Sequence, residues 1–160
     1  MHVRLLVAGC CSLVLLGLAV SGLGKPGGER GNFPVREPDE STPFYVLYYA
    51  LKAGLDDNEE AGFKAYLDLC PEDRKADKDK QGVLRKGEWA NVKELAGAYL
   101  AYDLHGFKVI VLKMNPAEVD GKTKKVYFTI KNQIEPDERS GLCIVERDGK
   151  GKWKLRSLSL

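Results

Sequence analysis

The chain has 160 residues, of which 44% are hydrophobic and 30% are charged, and its formal net charge at pH 7 is +2. This length suits one domain whose hydrophobic core is large enough to fold without a structural metal. The nearly balanced charge lacks the basic stripe that nucleic-acid-binding proteins use, which argues against a nucleic-acid partner.

The N-terminal segment combines a charged start with a long apolar run. Arg4 precedes residues 5–20, which carry no charge, and small residues follow up to Gly24. This pattern is typical of a secretory signal peptide, and the run is also long enough for an uncleaved membrane anchor. For residues 1–24 we therefore expect one of these two roles. The protein would be exported and periplasmic, membrane-anchored or extracellular, with membrane contact only through residues 5–24 if they are retained.

A third possibility concerns the first cysteine. The stretch Val7-Ala8-Gly9-Cys10 resembles the lipobox of bacterial lipoproteins, in which the cysteine is lipidated. The apolar run continues for ten residues past Cys10, however, whereas a lipobox normally ends such a run. Lipidation of Cys10 is thus the alternative to an ordinary small residue inside the segment. Residues 25–41 are rich in glycine and proline and predict a flexible tether.

Two helices are expected directly after the tether. Thr42 and Pro43 fit the cap and the first position of the first helix, and Gly54 would end it in the left-handed conformation. The acidic residues 56–60 suit the start of a second helix, because they complement the helix dipole. Pro71 would stop that helix.

The third helix is predicted from residue 88 to about residue 104, after a charged stretch at 72–87 that predicts a solvated loop. In all three helices apolar side chains recur at helical spacing. The apolar faces are Phe44, Leu47, Tyr48 and Leu51 in the first helix, Phe63, Tyr66, Leu67 and Cys70 in the second, and Trp89, Val92, Ala96, Tyr99 and Leu100 in the third.

After Gly106 the periodicity changes from helical to alternating, which predicts strands. Val126, Phe128 and Ile130, for example, alternate with more polar residues. The expected strands are residues 107–114, 126–130, 142–146 and 153–160, separated by turns at 120–121, 132–141 and 148–151. Short turns between consecutive strands imply an antiparallel sheet. The predicted fold is therefore α+β, with about three N-terminal helices packed on an antiparallel sheet of about four strands.

This order of elements, together with the closing hairpin Asp148-Gly149-Lys150-Gly151-Lys152-Trp153-Lys154-Leu155, resembles the NTF2-like, cystatin-like α+β superfamily, especially its small exported bacterial members. The resemblance covers residues 42–160 and departs from the commonest form of the hairpin by the insertion of Gly151. It implies a curved sheet wrapped around the helices as a cone, often with a pocket. Members include ligand-binding proteins, isomerases, dehydratases and non-catalytic partner-binding domains, so the fold alone assigns no activity.

Few residues suggest catalysis. His105 is the sole histidine after residue 24, and it lies close to Asp103 at the predicted end of the third helix, where a cation suits the helix dipole. The alternative is that Asp103 and His105 form an acid–base pair, with Tyr48 or Tyr99 as a hydrogen-bond donor to a developing oxyanion.

The remaining cysteines, Cys70 and Cys143, would form one disulfide in an oxidising compartment, or else remain two buried thiols. The chain has no CxxC, HExxH or calcium-loop spacing, so we expect no metal and no cofactor.

These observations favour an exported, non-catalytic domain that binds a partner protein or a small apolar ligand outside the cytoplasm. An isomerase- or hydratase-type enzyme is one alternative, and a membrane-tethered structural or assembly factor is another. The oligomeric state is left open.

Overall fold

In the computed structural model, the described residues are 30–116, 122–130 and 140–160. They form helices packed on an open antiparallel sheet, which confirms the α+β class. The helices are α1 (Pro43–Gly54), α2 (Glu59–Leu69), α3 (Glu72–Lys75), α4 (Lys78–Leu84) and α5 (Ala90–Tyr99), with a π-helical turn at Arg85–Trp89. The strands are β1 (Arg30–Val35), β2 (Leu100–Asp103), β3 (Gly106–Pro116), β4 (Thr123–Thr129), β5 (Gly141–Arg147) and β6 (Trp153–Ser159).

Helix α1 has the predicted bounds, but its ends are built differently. The Thr42 hydroxyl does not cap the helix; it donates to the Asp39 carbonyl oxygen at 2.8 Å. Gly54 does not adopt the left-handed conformation. It lies where α1 meets α5, and a Cβ atom there would come within 2.7 Å of the Val92 carbonyl oxygen. Glycine is required at this position for close approach of the two helices rather than for a turn.

Helix α2 follows the sequence prediction closely. The Asn58 side chain caps it by accepting a hydrogen bond from the Ala61 amide at 3.1 Å. Glu59 and Glu60 occupy the first turn, where carboxylates complement the helix dipole. The helix ends at Leu69, two residues before Pro71.

The predicted loop at 72–87 is wrong, because α3, α4 and most of the π-helical turn occupy these residues. The side chain of Asp77 caps α4 by accepting from the Lys80 amide at 2.8 Å. The Gln81 side chain closes the turn before it by donating to the Lys75 carbonyl oxygen at 2.9 Å. Most of the charged side chains of α4 face solvent, and Leu84 alone of α4 is buried. The sequence of these short helices therefore lacks the apolar stripe by which a helix is recognised.

The predicted third helix is also too long at its C-terminal end. Helix α5 ends at Tyr99, and Leu100 starts strand β2, which pairs with β3 through Leu100 and Val109. This pairing buries Leu100 to 3% exposure. Sheet pairing thus replaces the last helical turn.

The strand order of the six-stranded sheet is β1-β3-β4-β5-β6, and β2 also pairs with β3. Val109 pairs with Val35 of β1 and with Leu100 of β2. A strand residue has one neighbour on each side, so β1 and β2 lie on opposite sides of β3 at this point. Since Thr129 of β4 pairs with Ile110, β4 ends where β2 begins, along the same side of β3. This junction positions the cleft described below.

Strand β1 lies inside residues 25–41, for which the sequence predicts a tether. Phe33 packs edge-on against Phe44 of α1, with 5.4 Å between ring centroids, and Val35 is 7% exposed. Pro34 is tolerated because β1 is an edge strand. The strands β1 and β2 account for the difference between the six observed strands and the four predicted ones.

The core lies between the helices and one face of the sheet. Its largest fully buried side chains include Trp89, Tyr48, Tyr66, Phe128 and Leu155. Register shifts interrupt the β1–β3, β3–β4 and β5–β6 pairings. Irregularities of this kind bend a strand and increase its twist.

Several sequence predictions lie outside the described residues: the signal peptide or anchor at 1–24, lipidation of Cys10, the tether residues 25–29, and the turns at 120–121 and 132–139.

Candidate functional site

Asp103, the first of the catalytic candidates, is fully engaged in structural contacts. It ends strand β2, and its carboxylate accepts from both terminal nitrogens of Arg36, at 2.7 and 2.5 Å. It also accepts from the Lys108 ammonium at 2.9 Å and from the His105 amide at 2.9 Å. These hydrogen bonds, first of all that from Arg36, hold the pKa of Asp103 well below its usual range. The carboxylate therefore stays ionised and is a poor proton acceptor.

Among the described residues, neither the His105 ring nor the Tyr48 hydroxyl makes a hydrogen bond to this carboxylate. His105 lies in the turn between β2 and β3, not at a helix end, and it is exposed. Gly106, which follows it, has a φ of +90°, a conformation that glycine adopts readily in such a β-turn. Tyr48 is buried in α1, and its hydroxyl lies 3.5 Å from the Phe107 carbonyl oxygen. Burial raises the pKa of Tyr48, which keeps the phenol protonated.

The two cysteines of the domain are separate thiols, both fully buried. Cys70 follows α2, and its thiol donates to the Tyr66 carbonyl oxygen one turn earlier, at 3.5 Å. Cys143 lies on β5 between Val126 of β4 and Leu158 of β6. Burial raises the pKa of Cys70 to about 11 and also raises that of Cys143. In the structure both are free thiols, and their burial makes them weakly reactive.

A polar cluster that the sequence did not predict lies near Cys70. Glu88, in the π-helical turn, accepts a hydrogen bond from the Tyr66 hydroxyl and two from Arg74, at 3.3 and 3.2 Å. Arg74 also donates to the Leu155 carbonyl oxygen of β6 at 3.1 Å. Burial raises the pKa of Tyr66, and the Glu88 carboxylate raises it further. The cluster joins α2, α3, the π-helical turn and the sheet, and every polar group in it has a partner.

A cleft of about 490 Å³ opens where α5 and strand β4 end. We call it the apolar cleft, and it is lined by Leu95, Ala98, Tyr99, Ile130, Ser140, Ser159 and Leu160. Its position follows from the sheet, because β2 begins beside the end of β4, so the chain enters β2 from α5 there and leaves β4. Tyr99 forms one wall and packs edge-on against Phe128, with ring centroids 5.2 Å apart. None of Asp103, His105 and Tyr48 lines it.

The chemistry of the apolar cleft is that of a binding site. Five of its seven lining side chains are apolar or aromatic, and the polar side-chain groups among these residues are hydroxyls. The Ser140 Oγ atom is buried, and no hydrogen-bond partner accompanies it in the structure. A buried hydroxyl without a partner costs about 1–3 kcal/mol, so its presence beside a cleft needs an explanation.

Sequence reasoning identified Tyr99 but not the cleft. The spacing of Leu95 and Tyr99, four residues apart on α5, is a weak signal that fits core packing equally well. The other walls come from distant parts of the chain.

Within residues 30–116, 122–130 and 140–160, no group of three or more His, Cys, Asp or Glu side chains is arranged to hold a metal ion. The helices found in this part of the chain are all too short or too polar to cross a bilayer.

The chain matches no protein-family model, no curated protein and no solved structure.

Proposed function

We propose that this chain is an exported, non-catalytic NTF2-like domain that binds a small, mostly apolar ligand in the apolar cleft. The observation that carries the proposal is the cleft itself, with its apolar walls and the unpartnered Ser140 hydroxyl. Its volume of about 490 Å³ lies within the range of about 300–1,000 Å³ that is usual for small-molecule pockets. Export rests on the pattern of residues 1–24.

The lining residues indicate what the ligand looks like. Leu95, Tyr99 and Ile130 offer dispersion contacts and an aromatic wall, which suit a flat or branched apolar body. Ser140 provides a single buried polar contact, so a hydroxyl or carbonyl group at one end of the ligand would gain a hydrogen bond there. Among the described lining residues no side chain is charged, so a highly charged ligand would lose hydration there without compensation.

The position of the cleft agrees with the NTF2-like resemblance. In that superfamily a curved sheet wraps around helices and leaves a pocket at the open end of a cone. Here the cleft lies between a helix and the ends of two strands, and the irregular pairings of β3 and β6 favour a bent sheet. The enzyme alternative has no comparable support, because Asp103 is held by cations and lies outside the cleft.

A fluorescence titration of the full chain tests the proposal. 1-Naphthol has an apolar body and one hydroxyl, and naphthalene lacks the hydroxyl. We expect saturable binding of 1-naphthol with one site per chain. Ala98→Trp, which places an indole in the cleft, should weaken it about tenfold or more because the space is filled. Ser140→Ala should weaken 1-naphthol about fivefold, as loss of about 1 kcal/mol predicts, and leave naphthalene unchanged.

A matched control is available on another helix. Ala65 of α2 is exposed like Ala98, so Ala65→Trp changes the surface in the same way at a distance from the cleft. Binding of 1-naphthol that does not saturate, or that is equally tight in Ala98→Trp and Ala65→Trp, would contradict the proposal.

A further inference from the structure

A second cavity lies along the seam between α1 and α2, away from the apolar cleft. It measures about 340 Å³, and we call it the tyrosine groove. Tyr45 and Tyr49 line its α1 side, and Ala53, Ala65 and Leu69 complete its apolar surface. Tyr45 and Ala53 are two helical turns apart, so the groove runs about 12 Å along α1. It is long and open enough for an extended chain.

Two carboxylates, Asp56 and Asp68, and one ammonium group, Lys52, provide the charge of this lining. The carboxylate of Asp68 makes no hydrogen bond or ion pair to any described residue. One oxygen of Asp56 accepts from the Asn58 amide at 2.9 Å, which leaves the other open. The neighbouring amines of Lys93 and Lys154 donate to the backbone carbonyl oxygens of Asp56 and Asp68, not to their carboxylates. The lining residues themselves carry two negative charges and one positive charge, and the flanking lysines leave both carboxylates without an ion pair to a described residue.

The aromatic rings of the groove already attract a cation. Tyr45 and Tyr49 pack with centroids 4.4 Å apart, and the Lys52 ammonium lies 5.7 Å from the centre of the Tyr49 ring. The face of an aromatic ring carries negative potential, which accounts for this contact. Lys52 is exposed and on a flexible stem, so a better-fitting cation could displace it.

We propose that the tyrosine groove binds the arginine side chain of a peptide. A guanidinium group is planar, stacks on aromatic faces and pairs with a carboxylate through two parallel hydrogen bonds. The groove offers both partners, a tyrosine wall and the unpaired Asp68 carboxylate. The peptide backbone on either side would follow the seam between the helices.

The test uses the peptide acetyl-Gly-Arg-Gly-amide and the same peptide with citrulline in place of arginine. Citrulline has the same shape but no charge. Titrated into the isotopically labelled full chain, the arginine peptide should shift the amide resonances of Tyr49, Ala65 and Asp68 saturably. The citrulline peptide should bind about tenfold more weakly, since it loses the charge-assisted hydrogen bonds. Free arginine amide carries the same guanidinium group without the flanking residues. It should bind more weakly than the peptide, because it lacks the backbone contacts along the seam.

Two variants locate the site. Asp68→Asn should weaken the arginine peptide about tenfold, whereas Asp57→Asn, which removes the same charge just outside the groove, should leave its affinity unchanged. Ala65→Trp should block the peptide, and Ala98→Trp should not. Equal affinity for the arginine and citrulline peptides, equal loss in both aspartate variants, or saturation at other resonances would overturn the proposal. Because the apolar cleft is tested by a different probe, either site can fail without affecting the other.

Discussion

Two carboxylates in this protein have nearly the same partners and very different surroundings. Glu88 accepts from both terminal nitrogens of Arg74 and from the Tyr66 hydroxyl. Asp103 accepts from both terminal nitrogens of Arg36 and from Lys108. The side chains of Glu88 and Arg74 are only 14% and 17% exposed, however, whereas those of Asp103 and Arg36 are 30% and 29% exposed.

The difference in burial decides what each cluster contributes. Around Glu88 the groups have lost most of their hydration. Removal of one partner therefore leaves the others without a hydrogen bond at a site that little water can reach. Around Asp103 water can replace a lost partner, and salt screens the attraction. We infer that the Glu88 cluster stabilises the whole fold, whereas the Asp103 cluster fixes the local shape of the β2–β3 hairpin. The predictions below test this contrast.

The largest effect is expected for Glu88→Ala. It leaves the Arg74 guanidinium and the Tyr66 hydroxyl without their acceptor and breaks the connection between the π-helical turn and α2. Removing one partner of a buried ion pair costs about 3–5 kcal/mol of stability. Because both side chains are partly exposed, we expect Glu88→Ala to lose about 3 kcal/mol. Urea denaturation followed by circular dichroism measures the change in the free energy of unfolding.

Glu94→Ala is the control for this variant, because Glu94 is an exposed glutamate on α5 and its loss should change the free energy of unfolding by less than about 0.5 kcal/mol. If the two variants lose similar stability, the Glu88 cluster is not a structural connection and the contrast with Asp103 disappears.

A smaller effect is expected for Tyr66→Phe, which sharpens the comparison by removing one hydrogen bond and little else. Tyr66 is fully buried, and its ring packs against Trp89 with centroids 5.3 Å apart, a contact that phenylalanine retains. The lost bond to an ionised acceptor should cost about 1.5 kcal/mol, since Glu88 keeps both bonds from Arg74. The same urea denaturation applies, with Tyr102→Phe as the control because Tyr102 is 74% exposed. A cost as large as that of Glu88→Ala would show that the Tyr66 hydroxyl bond alone accounts for the stabilisation by the cluster and that the Arg74 bonds add little.

The helices and strands that the sequence predicted correctly are those whose signals are local in the chain. The bounds of α1 and the start of α2 were predictable because a proline, an acidic first turn and apolar stripes lie close together in the chain. The later strands were predictable from their alternation. Strand β2 was missed because the apolar pattern of α5 continues into it, and only pairing with β3 makes it a strand. Strand β1 was missed because glycine and proline dominate its surroundings.

The roles of the candidate site residues were predicted less accurately than the helices and strands, because their partners lie far away in the sequence. Asp103 and His105 are close in sequence, which favoured an acid–base pair. The Asp103 carboxylate instead binds Arg36, which is 67 residues away. Glu88 and Tyr66 are 22 residues apart in segments that the sequence assigned to different helices. Long-range partners decide what a polar side chain does, and a single sequence carries little information about them.

The smallest effect is expected for Asp103→Asn, and its pH dependence distinguishes it from a buried defect. Arg36 holds the pKa of Asp103 below its usual value, which is about 3.9 in an unfolded chain. Above about pH 4 the carboxylate is ionised in both states, and its stabilising effect is complete. As the pH falls below about 4, the unfolded chain takes up a proton that the folded protein resists, so this stabilisation is progressively lost as the pH approaches the lower folded pKa.

Thermal melts of the wild type and Asp103→Asn should therefore differ by a small amount at pH 7, and the difference should narrow steadily as the pH falls below 4. The asparagine side chain retains an acceptor for the His105 amide, so the turn itself should survive. High salt at pH 7 should narrow the same gap, since the group is partly exposed and its ion pairs are screened. A difference that is as large at pH 2 as at pH 7, and unchanged in 1 M salt, would mean that Asp103 acts through packing or hydrogen-bond geometry rather than charge. The surface cluster would then resemble the buried one.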